Sequence, residues 1–254
     1  MGNDSRMARP RGAMSNASRT PDKTDPRAVA DVPSSRTEID AFLSTARAVQ
    51  PAGGRGRLIF ALDATMSRQP TWDRACALQA DMFEEAGRIG GLDVKLVYFR
   101  GFGECRASKW VGDARRLAEL MTRIDCRGGH TQIRKVLSCA IEETRKQKVQ
   151  ALVYVGDCME ENVDELCARA GELGLLGVPA FLFQEGGDRD AEAAFREIAR
   201  LTKGAYCPFN SASAKELGDL LKAVAAYAAG GRAALAALEK RGGAGARPLI
   251  EQMK

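Results

Sequence analysis

The sequence of 254 residues has no long hydrophobic run and only one histidine, His130. Its longest apolar stretches, such as 58–62 and 151–155, have the length of a strand and are too short to cross a bilayer. The polar, Arg-rich N-terminus lacks the apolar core of a secretory signal, so we expect a cytoplasmic protein. With a single histidine, no Ser-His-Asp or Cys-His catalytic set is predicted.

The seven cysteines are scattered and include no C-x-x-C pair, which argues against a zinc site. Several lie inside apolar stretches, a pattern typical of reduced, buried thiols. The glycine patterns of nucleotide-binding loops are also missing: neither G-x-G-x-x-G nor G-x-x-x-x-G-K-[S/T] follows the first strand. A nucleotide-binding domain is therefore disfavoured.

The net charge of +5 comes from the two ends of the chain. Residues 1–36 carry seven Lys and Arg against four Asp, and residues 241–254 carry three basic residues against one Glu. The segment between them is neutral, so it offers no positive field to phosphate groups. We expect no membrane binding, and no nucleic-acid binding beyond weak contacts of the basic tails.

Composition divides the chain into three segments. Residues 1–34 are rich in Pro, Arg, Ser, Asp and Ala without periodicity, which predicts a disordered basic arm. Residues 35–229 predict one α/β domain that opens with a capping box at Ser35 and a short helix. Gly230 and Gly231 break the pattern, and residues 230–254 predict an exposed helical extension followed by a flexible Gly-rich tail.

Buried strands and amphipathic helices alternate through this domain. Apolar runs predict strands at 58–62, 94–99, 151–155, 178–183 and 205–209, with a weaker polar strand at 104–111. Helices are predicted at 70–90, 113–124, from Thr131 onward, and at 163–173, 190–202 and 213–229. The alternation predicts an α/β fold with a doubly wound, mostly parallel, Rossmann-like sheet and helices on both faces.

Oxygen-bearing side chains follow the predicted strands where an open parallel sheet binds its ligands. The first strand is followed by Asp63-Ala-Thr65-Met-Ser67 and the strand at 151–155 by Gly156-Asp157, while Gly128-Gly129-His130-Thr131 leads into a helix. Two carboxylates and three hydroxyls suit a hard divalent cation such as Mg²⁺. An open coordination position on that ion would attract a partner's carboxylate. Each hydroxyl also has an alternative interpretation as a cap or turn residue.

These residues resemble the von Willebrand factor A (vWA) domain and its metal-ion-dependent adhesion site, a D-x-S-x-S motif with a distant Thr and Asp. The resemblance extends over about residues 55–229. It implies a vWA fold that binds Mg²⁺, Mn²⁺ or Ca²⁺ through Asp63, Thr65, Ser67, Thr131 and Asp157, directly or through water. It also implies a non-enzymatic protein-interaction module whose partner presents an acidic side chain; intracellular bacterial members often work beside ATPases or in multi-subunit complexes.

The sequence departs from the family pattern at Thr65, which replaces a serine, and at Gln132, where the family often has Asp. It also has Gly156-Asp157-Cys158 where the family often has Ser-Asp-Gly. Two alternatives stay open. A haloacid dehalogenase-like phosphatase would use Asp63 as nucleophile, with Thr131, Lys148, Asp157 and one of Glu160 or Glu161; Thr65 stands where that family has a second aspartate. The other alternative is an inert scaffold with a degenerate metal site.

Overall fold

The computed structural model describes residues 55–210 and 214–253, without the side chains of Ser67, Gln79 and Ala214. The predicted arm and the helix expected after Ser35 lie outside the described residues. The strands are β1 Gly56–Asp63, β2 Leu92–Arg100, β3 Glu104–Val111, β4 Ala151–Gly156, β5 Ala180–Glu185 and β6 Ala205–Phe209. The α-helices are α1 Gln69–Gly87, α2 Ala114–Met121, α3 Ile133–Lys146, α4 Val163–Leu175, α5 Arg189–Thr202, α6 Ala214–Lys240 and α7 Ala246–Gln252.

The six strands form one sheet in the order β3-β2-β1-β4-β5-β6. All neighbours are parallel except β3, which runs antiparallel to β2 at the edge of the sheet. This confirms the predicted α/β class with a doubly wound, mostly parallel sheet. The polar character of β3 follows from its edge position, since an antiparallel edge strand keeps many of its side chains in solvent.

Helices cover both faces of the sheet, which explains the continuous apolar runs of the central strands. All eight residues of β1 are buried. Phe60 and its neighbours at alternate positions pack in the layer of α1, α2, α6 and α7, whereas Ile59 and Ala61 pack in the layer of α3, α4 and α5. The alternation places Asp63, the last residue of β1, on the α3 side of the sheet.

The C-terminal residues differ from the expected loose tail. The backbone of α6 leaves helical geometry at Gly230 and at Gly231, whose φ is +65°, so the predicted break is present as a kink. Beyond it, Leu235, Ala246 and Leu249 are buried against the α1–α6 layer. The apolar spacing of α7, rather than the glycines before it, determines the packing of this segment. The division of the chain into three segments stays a prediction.

Helix α7 also closes the edge of the sheet at β6. Oε1 of Gln252 accepts a hydrogen bond from Tyr206 N at 2.9 Å, and Nε2 donates to Tyr206 O at 2.9 Å. The same strand contains Pro208, which has no backbone N–H. This side-chain amide thus takes the place of a neighbouring strand, a known means of protecting a sheet edge.

None of the helices described here is long and apolar enough to cross a membrane.

Candidate metal centre

The predicted site residues lie around the point where the strand order reverses. Strand β1 pairs with β2 on one side and with β4 on the other, so the chain diverges from β1 toward both edges of the sheet. Asp63 ends β1 and Asp157 directly follows β4. A crevice outside the carboxyl ends of two such strands is the usual ligand position in a doubly wound sheet.

Asp63 is a buried carboxylate, with only 1% of the residue exposed. Its Oδ1 accepts a hydrogen bond from Thr65 N at 2.7 Å. Its Oδ2 is buried and finds no hydrogen-bond partner among the described residues. Burial raises the pKa of Asp63 to about 6, although hydrogen bonds from Thr65 lower it; the negative charge of Asp157 raises it further. A buried anionic oxygen without a donor is costly unless a cation approaches it.

Asp157 and Cys158 complete a compact group of potential donors. One donor atom from each of Asp63, Asp157 and Cys158 lies within 4.8 Å of the others. The Cys158 thiol lies 3.4 Å from Asp157 Oδ1, to which it donates. Burial, with a further contribution from Asp157, raises the pKa of Cys158 to about 12, so the sulfur stays protonated. The two carboxylates therefore fit a hard divalent cation, whereas the thiol is a poor ligand for one.

Thr131 is buried and contacts the loop after β4. Its backbone N donates to Glu160 Oε2 at 2.8 Å, and its Oγ1 accepts from Glu160 N at 3.1 Å. Helix α3 begins at Ile133, not at Thr131, and its N-cap residue Gln132 makes no capping bond with its side chain. Glu161 accepts hydrogen bonds from the first backbone N–H groups of the helix instead.

The structure thus brings Asp63, Thr65 and Asp157 together and places Thr131 against the Asp157 loop. Ser67 belongs to the 3-10 helix Met66–Arg68, and the structure describes its backbone only. The assignment of all five residues as metal ligands stays a prediction. The capping of α3 by Glu161 and the contact of Glu160 with Thr131 were not predicted from the sequence; the weak N-cap residue of α3 was the available signal.

Arg68 is a second functional candidate that the sequence analysis did not identify. It is buried, forms an ion pair with Glu185, and its Nε and Nη2 have no hydrogen-bond partner among the described residues. The hydroxyl of Thr71 donates to the same carboxylate. The charge of Arg68 lowers the pKa of Asp63, although burial outweighs this effect. Arg68 therefore neutralises part of the negative charge at this end of the sheet.

Backbone contacts hold the loop of residues 126–131 against the rest of the site. Arg127 N donates to Ala64 O at 2.9 Å, and His130 N donates to Gly101 O at 3.2 Å. A Cβ atom at Gly129 would overlap the backbone of Gly101, so glycine is required by this close approach. The loop that carries Thr131 is consequently fixed against both β1 and the β2–β3 turn.

Comparisons with known proteins identify the fold. No protein-family model and no curated protein matches the sequence. A von Willebrand factor type A protein from Catenulispora acidiphila is 15% identical, with a TM-score of 0.56, over 69% of this chain and 43% of that one. A variant of an aerotolerance-related membrane protein from Bacteroides fragilis is 18% identical, with a TM-score of 0.51, over 65% of this chain and 96% of that one. The SpRpn10 VWA domain is 12% identical, with a TM-score of 0.52, over 67% of this chain and 95% of that one. The chain therefore has the vWA fold.

We predict that Gly129→Ala destabilises the protein whereas Gly128→Ala does not. The new Cβ at residue 129 must push the loop away from Gly101, while nothing lies within 4 Å of a Cβ at residue 128. Overpacking of this kind costs about 1–3 kcal/mol. Urea unfolding of the two variants measures the difference; equal stability would contradict the fixed position of the loop.

A second prediction concerns the pH dependence of stability in chelator. The pKa of Asp63 is about 6 in the folded protein, above its ordinary value of 3.8, so the folded state holds the proton more tightly. Stability should therefore fall as pH rises from below 3.8 to above 6, by about 3 kcal/mol in total, of which about 2 kcal/mol is lost above pH 4.5. In Asp63→Asn this contribution should be missing.

The measurement is urea unfolding of wild type and Asp63→Asn between pH 4.5 and pH 7.5, compared as a difference so that other titrating groups cancel. The stability of wild type should decline relative to the variant as pH rises. Parallel curves for the two proteins would show that Asp63 titrates normally and that its buried environment is not as described.

Proposed function

We propose that this chain is a protein-interaction module in which a divalent cation, held by Asp63, Thr65, Ser67, Thr131 and Asp157, binds an acidic side chain of a protein partner. The observation that carries the proposal is the buried Oδ2 of Asp63, which has no hydrogen-bond partner among the described residues and lies beside the carboxylate of Asp157. Two negative charges this close repel each other, and a divalent cation relieves that repulsion.

The residues present fit Mg²⁺, and Mn²⁺ or Ca²⁺ in its place. Mg²⁺ prefers one or two carboxylates together with hydroxyl or water oxygens, which these loops supply. Two aspartates neutralise a divalent ion, whereas hydroxyl ligands add no charge. If either aspartate binds through water, the ion keeps positive charge that a partner's carboxylate can neutralise. When bound, the ion would supply this attraction, and the residues of the chain would hold it in position.

A phosphatase of the haloacid dehalogenase type receives less support. Lys148, which that mechanism would need near the phosphate, donates to Leu176 O and Gly177 O at 2.6 and 2.8 Å. It precedes β4 and so lies at the opposite end of the strand from Asp157. Both oxygens of the Glu161 carboxylate accept hydrogen bonds from α3. We therefore infer a binding module rather than an enzyme.

The proposal includes a cytoplasmic protein partner, such as an ATPase or a subunit of a larger complex. The vWA fold supports an interaction role, because interaction modules are common on this fold, but it does not identify the partner. Acidic chemistry of the partner follows from the charge on the ion. Residues 37–240 carry equal numbers of basic and acidic residues, so the net charge of this segment does not favour binding to a nucleic acid.

Metal binding is tested by thermal unfolding with Mg²⁺ and with chelator. At a free Mg²⁺ concentration ten times the Kd, wild type should gain about 1.4 kcal/mol. Asp157→Ala and Thr131→Ala should lose this response, since each removes one proposed ligand. Asp164→Ala is the control, because it removes an exposed carboxylate seven residues further along the chain and should respond as wild type does.

Two results would contradict the proposed function. If millimolar Mg²⁺ or Mn²⁺ leaves the unfolding of wild type unchanged, the inert-scaffold alternative is favoured. If wild type hydrolyses generic phosphate esters with Mg²⁺ and Asp63→Asn does not, the phosphatase alternative is favoured.

A further inference from the structure

The start of helix α3 is held by another loop rather than by its own cap. The Gln132 side chain caps no backbone N–H of the helix: its Nε2 donates to backbone oxygens of Arg100, Gly101 and Glu104 at 3.3–3.4 Å, and its Oε1 accepts from Lys135 Nζ at 2.8 Å. The orphan N–H groups of the first helical turn therefore need other acceptors. Glu161 supplies them: Oε1 accepts from Arg134 N at 3.0 Å and Oε2 accepts from Ile133 N.

Glu160 holds Thr131 itself by a reciprocal pair of hydrogen bonds. Its carboxylate accepts from the Thr131 backbone N–H while its own N–H donates to the Thr131 hydroxyl oxygen. This second bond occupies one lone pair of Oγ1 and fixes the χ1 rotamer, leaving the other lone pair for a further partner. Glu160 and Glu161 are adjacent, so one short segment after Asp157 holds two atoms of Thr131 and two backbone N–H groups at the start of α3.

We propose that Glu160 and Glu161 are positioning residues that hold the Thr131 loop against the Asp157 loop, so that the metal site is formed before the ion arrives. This inference rests on the proposed function, because it concerns the affinity of the same site. Neither carboxylate is proposed as a ligand. Both oxygens of Glu161 accept N–H groups, and Glu160 is not among the residues whose donor atoms lie with those of Asp63 and Asp157.

Carboxylates suit this role for two physical reasons. Negative charge at a helix N-terminus is stabilised by the helix dipole, so the contacts strengthen the start of α3. Loops that are already ordered lose less conformational entropy when the ion binds, which raises affinity without adding a ligand. Removing residues that orient metal ligands typically weakens metal binding about 10–100-fold.

The experiment compares Mn²⁺ affinity by calorimetry for wild type, Glu160→Ala, Glu161→Ala, Glu161→Gln and Asn162→Ala. Asn162→Ala is the matched control. Asn162 is the residue after Glu161, and its side chain caps α4 by accepting a hydrogen bond from Glu165 N at 3.1 Å. This bond lies within α4 and does not involve the Thr131 loop. Hydrogen exchange of the Ile133 and Arg134 amides, measured in chelator, reports directly whether the hydrogen bonds from these amides to Glu161 are intact.

We expect Glu161→Ala to bind Mn²⁺ about 10–100-fold more weakly and to exchange both amides faster. Glu161→Gln keeps an acceptor oxygen and should recover part of the affinity, which also covers a failure of the alanine variant to fold. Glu160→Ala should weaken binding as well, and Asn162→Ala should bind as wild type does although it loses a helix cap.

Wild-type affinity in Glu161→Ala and Glu160→Ala would overturn this inference while leaving the proposed function intact. Equal weakening in Asn162→Ala would also overturn it, because general loss of stability would then explain the effect. If wild type itself binds no Mn²⁺ and is indistinguishable from Asp157→Ala, the proposed function fails and the inference fails with it.

Discussion

The end of this molecule that carries the candidate site depends on one buried charge. Strand β1 is covered on both faces by helices, and its last residue, Asp63, stays within that buried environment. A carboxylate there loses its hydration, which raises its pKa, and only one of its oxygens recovers a hydrogen bond from Thr65. The nearby charge of Arg68 offsets only part of this cost, and the proposed cation would offset more of it.

The fold supplies the convergence that such a site requires. The strand order reverses at β1, so Asp63 and Asp157 lie at the same edge of the sheet with donor atoms within 4.8 Å of each other, although they are far apart in sequence. Backbone bonds from Arg127 and His130 and the carboxylates of the β4–α4 loop then fix the Thr131 segment. Buried Arg68 forms an ion pair with Glu185, and its charge lowers the pKa of Asp63. Geometry and electrostatics are thus consistent with one cation site.

Periodicity alone was sufficient to predict the architecture. Short runs that are apolar throughout, such as 58–62, are typical of strands covered by helices on both faces, and helical spacing between them implied parallel crossovers. The proximity of Asp63 and Asp157 could be predicted because each follows a parallel strand, and topology brings those strand ends together. The assignment of the five residues as metal ligands stays a prediction. The resemblance to the vWA domain added the expected order of ligands, and comparison of structures confirmed the fold.

Other features depend on contacts that a single sequence does not reveal. The packing of α7 was missed because glycines before it suggested a loose end, whereas Gln252 and a few buried apolar residues hold it in place. The role of Glu161 was missed because its partners are backbone N–H groups of a helix 28 residues earlier in the chain. Cross-loop capping leaves no local pattern beyond a poor cap at Gln132.

Metal binding at this site is tested most directly by a crystal structure of the protein soaked in Mn²⁺, with anomalous scattering measured at the manganese edge. We predict one strong peak between Asp63 and Asp157, within reach of Asp63 Oδ2 directly or through one water, with Thr131 on the same ion. Well-ordered density without a peak, with Oδ2 of Asp63 hydrogen-bonded to the protein instead, would contradict this prediction.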